Sequence, residues 1–441
     1  MAQGSLFLQP AQRLLGRFSL AGKMLFIGVV FMLVIALMLA FFLRQQFTAI
    51  DFSARERIGV AVIGPVIDVV TSYDRYAARL DRAGAAQASD GEATAEVGRA
   101  FDQAAKAIQQ PLATLGLTES WRTLEGAWQQ VRDAGDSSDT SRARRDQFGR
   151  MLVRFINDVA DRSNLTLDPD IDSYYLMDAA AFRLPVIIDA GMRLRRIGAE
   201  LASRGNATTD ERIAMAQVQA LMDGWRAAQS SGLDKVAALR PELAQALGPA
   251  RAALNEASDS LGEMLRDEFF AAPNPTITPA GVADRADAAV SAGEQLWRLS
   301  LEALDVRLAA RVAAMDLALW TMSALVFAAL LLAAYFYLAF RASTSRAMGS
   351  IASAAQRMAA GDLDRDVRWD AADEFGKIAT SLNRMRAALS VQLERERAIA
   401  LENLRIRNAL DGASTALMLA DGGGRIIYMN EQVRRLLAAA E

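Results

Sequence analysis

Two uninterrupted apolar runs constrain this chain more than any other feature. Met24 to Leu43 is 20 residues without a charge, and Leu317 to Phe340 is 24. A hydrocarbon core of about 30 Å needs about 20 helical residues at about 1.5 Å each, so either run can cross it. Aromatic residues sit near an end of both, Phe41 and Phe42 in the first and Trp320, Tyr335 and Tyr337 in the second, and such rings favour the membrane interface. A cleavable signal peptide has an apolar stretch of only about 7–15 residues followed by small residues. Here Phe41-Phe42-Leu43-Arg44 offers no such site, so the first run reads as a retained anchor.

Flanking charge sets the expected orientation. Arg13, Arg17 and Lys23 precede the first run with no acid among them, and Arg341, Arg346 and Arg357 follow the second before the first acid, Asp362. On the sides between the runs the signs mix: Arg44, Asp51, Arg55, Glu56 and Arg57 after the first, Asp305, Arg307, Arg311 and Asp316 before the second. Positive charge stays inside, which puts both termini in the cytoplasm and residues 44–316 outside. The expectation from charge is a two-span membrane protein.

Composition then excludes chemistries. Cys and His both number 0. No disulfide, no zinc site of the usual kind, no Ser-His-Asp or Cys-His machinery and no phosphoacceptor histidine can exist in the chain. Lys+Arg 49 against Asp+Glu 52, a net charge of −3, lacks the basic excess of a bulk nucleic-acid binder. Nothing in the chain reads as catalytic, and no cofactor is expected.

The 273 residues from 44 to 316 are rich in good helix formers and poor in strand-like alternation. Phe148, Leu152, Phe155 and Val159 fall on one helical face, and Leu301, Leu304, Leu308, Val312, Met315 and Leu319 form a stripe that runs into the second span. Residues 135–139 read as a loop. Arg204-Gly205-Asn206 ends one helix, and Thr208 with Glu211 reads as a capping box that starts the next. Pro273, Pro275 and Pro279 mark a further loop, and no proline follows Pro279, so nothing forces a break from there through the membrane. Long helices with short breaks predict a helical bundle, either one long bundle or, in the favoured form, two bundles stacked end to end with shared helices.

Two local patterns have competing readings. Asp168-Pro-Asp170-Ile-Asp172 has the start of a calcium loop, but its sixth position is Ser173 and its twelfth Ala179, where such a loop needs Gly and Glu. Acids around Pro169 also suit a helix start, and polar contacts for packing or a ligand are a further reading. The segment Asp168 to Asp178 resembles one in the helical sensor domains of bacterial chemoreceptors. Arg193, Arg195 and Arg196 are either an anion site or, the favoured expectation, a solvated face with helical ion pairs.

Beyond the second run, Met348, Ile351, Ala355 and Met358 step at heptad spacing, Gly361-Asp362-Leu363 breaks the helix, and Asp373-Glu374-Phe375-Gly376 opens another. Phe375, Ile378, Leu382, Met385 and Leu389 continue the pattern. Two seams with a short connector predict a parallel four-helix bundle made by a homodimer, with Ala355 as the small seam residue. The arrangement resembles the HAMP domain of bacterial transmembrane receptors. Gly361, Leu363 and Val367 match the family's connector positions, and Asp373, Glu374 and Gly376 its acidic motif; Ala347 stands where the family usually has proline. The resemblance implies a bistable relay built on Met348, Ile351, Met358, Gly361, Leu363, Val367, Asp373, Glu374, Gly376, Ile378, Leu382 and Met385.

Finally, Ala416–Ala420 and Arg425–Asn430 read as strands around Asp421-Gly-Gly-Gly424, with a helix from Glu431 to Ala440. No Gly-Lys-Ser/Thr follows the glycines, so a phosphate loop is not expected. The run resembles the start of a PAS domain, with Asp421, Gly424 and Asn430 in its first hairpin, and about thirty residues cannot build such a core alone.

The expected architecture is an all-α membrane receptor. It comprises a cytoplasmic N-terminus (1–23), transmembrane helix 1 (24–43), a periplasmic helical-bundle sensor (44–316) and transmembrane helix 2 (317–340). A HAMP parallel coiled coil (341–392), a linking helix (393–407) and an incomplete α/β PAS segment (408–441) follow. The resemblances imply the sensing and relay part of a methyl-accepting chemotaxis protein, with an unknown small-molecule or protein ligand in the periplasm. It would reach the chemotaxis kinase complex only through an output domain outside this sequence. The alternative is the input half of a sensor kinase or cyclic-dinucleotide cyclase.

Overall fold

The computed structural model describes residues 8, 11, 14–18, 20–83, 91–134, 139–272, 274–369 and 373–439. Arg13, most of the loop expected at 135–139, and Pro273 lie outside the described residues. The chain divides into two units, Met38–Ala324, and Met1–Leu37 together with Leu325–Glu441.

The two apolar runs lie in the longest helices. Helix α1 (Leu20–Ala83) runs unbroken through Pro65, and helix α9 (Pro279–Ala359) is 81 residues long, as the absence of proline beyond its start permits. Both are long and apolar enough to cross a membrane. Phe31, Leu37, Leu325 and Phe327 stand exposed on them, a pattern suited to lipid rather than water. Gly28 lets α1 approach closely: a Cβ there would lie 2.8 Å from the Tyr337 ring.

The larger unit holds α2 (Gly91–Leu115), α3 (Thr118–Ala134), α4 (Asp139–Arg162), the short α5 (Ile171–Met177), α6 (Leu184–Arg204), α7 (Thr209–Leu239) and α8 (Pro241–Leu265). The expected stripes face inward. Phe148, Leu152, Phe155 and Val159 are buried, as are Leu301, Leu304 and Leu308 of α9. The capping box forms, with Glu211 N donating to Thr208 Oγ1 and Thr208 N to Glu211 Oε2.

One continuous apolar core joins these helices, which differs from the stacked arrangement favoured by the sequence. On α1, Tyr73 and Tyr76 pack against Phe148 of α4 and Trp128 of α3, with ring centroids 4.8 and 5.2 Å apart. Between them, Asp74 lies 2.8 Å from Arg195 of α6. Both helix groups therefore meet the same stretch of α1 and lie alongside one another, not end to end. Periodicity could not show this, because it fixes which face is apolar and not which neighbour covers it.

In the other unit, α9 ends at Ala359 and α10 (Glu374–Asp411) follows a connector. Strands β1 (Met418–Ala420) and β2 (Ile426–Met429) pair antiparallel, and α11 (Glu431–Ala438) closes the described chain.

Candidate functional site

The acidic segment before α5 folds inward. Asp170 occupies the cap position of α5, yet its side chain makes no capping bond; instead it lies 2.8 Å from Arg311 Nε on α9. Arg311 also reaches Asp168 at 2.7 Å and Glu56 of α1 at 3.0 Å, and it donates to Ser173 Oγ. Asp172 accepts from Arg240 and pairs with Arg307, each at 2.8 Å. The expected helix start forms, with Asp170 at the cap position and Asp172 in the first turn, where its Oδ1 accepts from Ser173 N at 3.0 Å; the same carboxylates also pair with arginines from distant helices. Among the described residues no cluster of three or more acids is arranged to hold a metal ion.

The electrostatics of this node are uneven. Glu56 and Asp168 are buried beside one another, and burial first, then the Asp168 charge, push the Glu56 carboxyl up to about 7 against the pull of Arg311. One oxygen of each carboxylate, Glu56 Oε1 and Asp168 Oδ2, has no hydrogen-bond partner. Asp172 differs. Burial raises it, but the Arg240 hydrogen bond and the Arg307 charge outweigh that and hold it below the usual carboxylate range.

A second node lies farther along the same helices. Arg195 is 0% exposed, which corrects the expectation of a solvated face. It lies 2.8 Å from Asp74, 3.3 Å from Asp81 and 2.6 Å from Asp287, and donates to the Asp74 carbonyl. Burial pushes Asp74 and Asp81 up although Arg195 pulls them down. Arg196 pairs with Asp146 at 2.6 Å. Beside them Asp189 lines a cavity of about 30 Å³ and is pushed up to about 6, mainly by burial and against the Arg193 charge.

Between the nodes the backbone departs from the α-helix. Asp178–Arg183 forms a π-helical turn, and its wider register brings Arg183 to 2.9 Å from Asp178, five residues away. The Ala180 carbonyl accepts from the buried Trp297 indole of α9 at 2.6 Å. Such turns need a partner for the backbone group they displace, and Trp297 supplies it.

The relay segment takes shape in the other unit. Gly361 closes α9 in the left-handed region, φ 85°, and Asp362 N donates to Arg357 O at 3.0 Å, a glycine-dependent helix stop. Val367 is buried with Ala354 and Ala379. Asp373 caps α10, accepting from Gly376 N at 3.0 Å and from Trp369 Nε1 at 2.9 Å; Glu374 is exposed in the first turn. Ile351, Met358, Leu363 and Leu382 are half-buried, while Met348, Ile378 and Met385 remain exposed. Ala354 is buried beside the connector, and Ala355 is exposed in one chain, as Met348, Ile378 and Met385 are.

Three residues that the seam pattern did not single out hold the connector. Asn383 accepts from Val367 N at 2.9 Å and donates to Val367 O at 3.0 Å. Arg386 donates to Leu363 O at 2.6 Å, and Trp369 reaches Asp373 as above. A polar residue beside Leu382 in the apolar seam was the available signal for Asn383.

In the hairpin, Asp421 Oδ1 accepts from Gly423 N and Arg425 N, both at 3.0 Å, and Gly424 has φ 79°. Asn430 is fully buried. Its side chain accepts from Leu417 N and Val433 N and donates to Leu410 O and Thr415 O.

Comparison with known proteins agrees with this local geometry. Residues 339–390 match the HAMP domain family and residues 404–440 the PAS domain family. The chain carries HAMP and PAS domains. Such domains are typical of bacterial transmembrane signalling proteins, and together they indicate the input region of a signal-transducing receptor, anchored to a membrane by the two apolar helices. No curated protein matches the chain. A solved structure entitled "Structure of the NasR transcription antiterminator" is similar over 84% of this chain and 100% of that one, with 16% identity and a TM-score of 0.42.

Proposed function

We propose that this protein is a bacterial inner-membrane receptor with both termini cytoplasmic. Residues 44–316 sense a periplasmic ligand, and the HAMP segment of a homodimer relays the signal toward a chemotaxis-type output of the methyl-accepting class. The observation that carries the reading is continuity: α9 holds the buried Trp297, the ion-paired Arg311, the second apolar run and Met348 in one unbroken helix. A displacement at the sensor has this helix as its covalent path to the relay. The exposed seam residues Met348, Ile378 and Met385 are the face a second copy would cover, and two packings of such a bundle can differ by only a few kcal/mol. The assignment to chemotaxis rests on the resemblance of Asp168–Asp178 to chemoreceptor sensors and on the resemblance of the C-terminal segment to the start of a PAS domain.

The test is a pair of chimaeras that join residues 1–407 to the signalling hairpin of a chemoreceptor or to the catalytic part of a sensor kinase. Ligand-screened control of the chemotaxis kinase by the first, and not of phosphorylation by the second, supports the reading. Control in the second alone overturns the chemotaxis assignment.

A further inference from the structure

The segment before α5 inverts the usual order of burial. Along Leu167-Asp168-Pro169-Asp170-Ile171-Asp172 the acids turn toward arginines and the apolar residues turn out: Leu167 is 66% exposed and Ile171 60%. Asp168 and Asp170 are held by Arg311, and Asp172 by Arg240 and Arg307. In water such a surface is unfavourable, since each exposed branched side chain forgoes the free energy of burial.

The position of this segment along the helices supplies its partner. Pro169 borders a groove of about 470 Å³ that is also lined by Phe41, Arg44, Phe52 and Met315. Arg44 is the first residue past the first apolar run, and Met315 lies two residues before the second, about 3 Å along a helix. The headgroup layer on each side of a bilayer is about 5–7 Å thick. Phe52 lies nine residues past the first run, so the groove that Pro169 borders starts where the apolar runs end and extends outward from them.

We propose that the base of the larger unit, through Leu167, Pro169 and Ile171, is inserted in the headgroup and upper acyl region of the phospholipid bilayer, with Arg44 placed to meet lipid phosphate. This rests on the reading of the two apolar runs as membrane spans. The insertion ties the Arg311 node to the lipid surface, so the sensor feels the bilayer beside its spans as well as through them.

The native chain has no cysteine, so single-cysteine variants of the full chain report one site each. Leu167→Cys, Ile171→Cys, Phe31→Cys and Ile213→Cys would carry an environment-sensitive fluorophore in nanodiscs of phosphatidylethanolamine and phosphatidylglycerol. Ile213 is the exposed apolar control near the far end of α7, close in sequence to Met215, which packs near Gly198 and Val282. Quenching by doxyl-labelled lipid at 31, 167 and 171, and by aqueous iodide alone at 213, is the expected result. Lipid quenching at 31 with aqueous quenching at 167 and 171 overturns the insertion and leaves the spans standing. Absence of lipid quenching at 31 overturns the span reading and the insertion with it. Protection of 167 and 171 from both quenchers marks a protein contact there and also overturns the insertion.

Discussion

Arg311 Nη1 lies 3.0 Å from Glu56 Oε2, joining the last helix of the larger unit to the first across 255 residues of sequence. The same guanidinium holds Asp168 at 2.7 Å. One cation therefore serves two buried carboxylates, and removing it strands both. Breaking a buried ion pair by deleting one partner costs about 3–5 kcal/mol. Arg311→Met should lower the thermal unfolding midpoint of the solubilised protein at pH 7.5 by several degrees, and the deficit should shrink toward pH 5.5 as Glu56 takes up a proton. A deficit independent of pH would show that lost packing, not stranded charge, is responsible.

Stability should fall as pH rises through neutrality. Glu56 and Glu294 are both pushed up to about 7, Glu294 by burial first and then by Asp74, and Asp189 to about 6. The unfolded chain releases these protons near the ordinary carboxylate range, about 4 to 4.5. Between about pH 4.5 and 7 the folded state binds more protons, so unfolding becomes easier with every step up in pH. A shift of this size amounts to at most about 3.5 kcal/mol per group, less for the half-buried Glu294, where solvent screens it. Glu211, held down at about 2 chiefly by Arg204, acts with the opposite sign and only in acid. Thermal unfolding at pH 5.5 and 8 checks this, and Glu294→Gln should flatten the slope.

Arg195→Lys should destabilise nearly as much as Arg195→Leu. An ammonium is a point donor and cannot reproduce the fork that reaches Asp81, Asp287 and the Asp74 carbonyl together. Midpoints within a degree of wild type for the lysine variant would count against this account.

Asn383→Ala should free the connector. It removes both bonds to Val367 and leaves a part-buried amide and carbonyl to find water, at about 1–3 kcal/mol. Hydrogen exchange at the Val367 amide should accelerate roughly in step with that loss, while the amides of α4 stay unchanged.

Much of this was written in local sequence, and the rest could not have been. Helix stops at Gly205 and Gly361, the Thr208–Glu211 capping box, the Asp373 cap and the hairpin at Asp421 depend on neighbours within a few residues, so their chemistry is visible in order along the chain. The apolar stripes of α4 and α9 were legible for the same reason. The ion nodes were not. Arg195 and Arg311 look like any surface arginine until partners 114 and 255 residues away arrive. Asp168–Asp172 carried a local signal for a helix start, which α5 bears out, but the distant arginines that also hold these acids left no local trace. The side-by-side packing was hidden because one stretch of α1 serves both helix groups.

The central claim is that a second copy covers the relay seam, and disulfide formation at Met385→Cys in native membranes tests it most directly. Met385 is 57% exposed in one chain and falls on the heptad seam, whereas its exposed neighbour Arg384 lies off it and serves as the control. The account predicts rapid oxidation of Met385→Cys to a covalent dimer and slow oxidation of Arg384→Cys. Equal rates at the two positions, or no dimer at either, would contradict it.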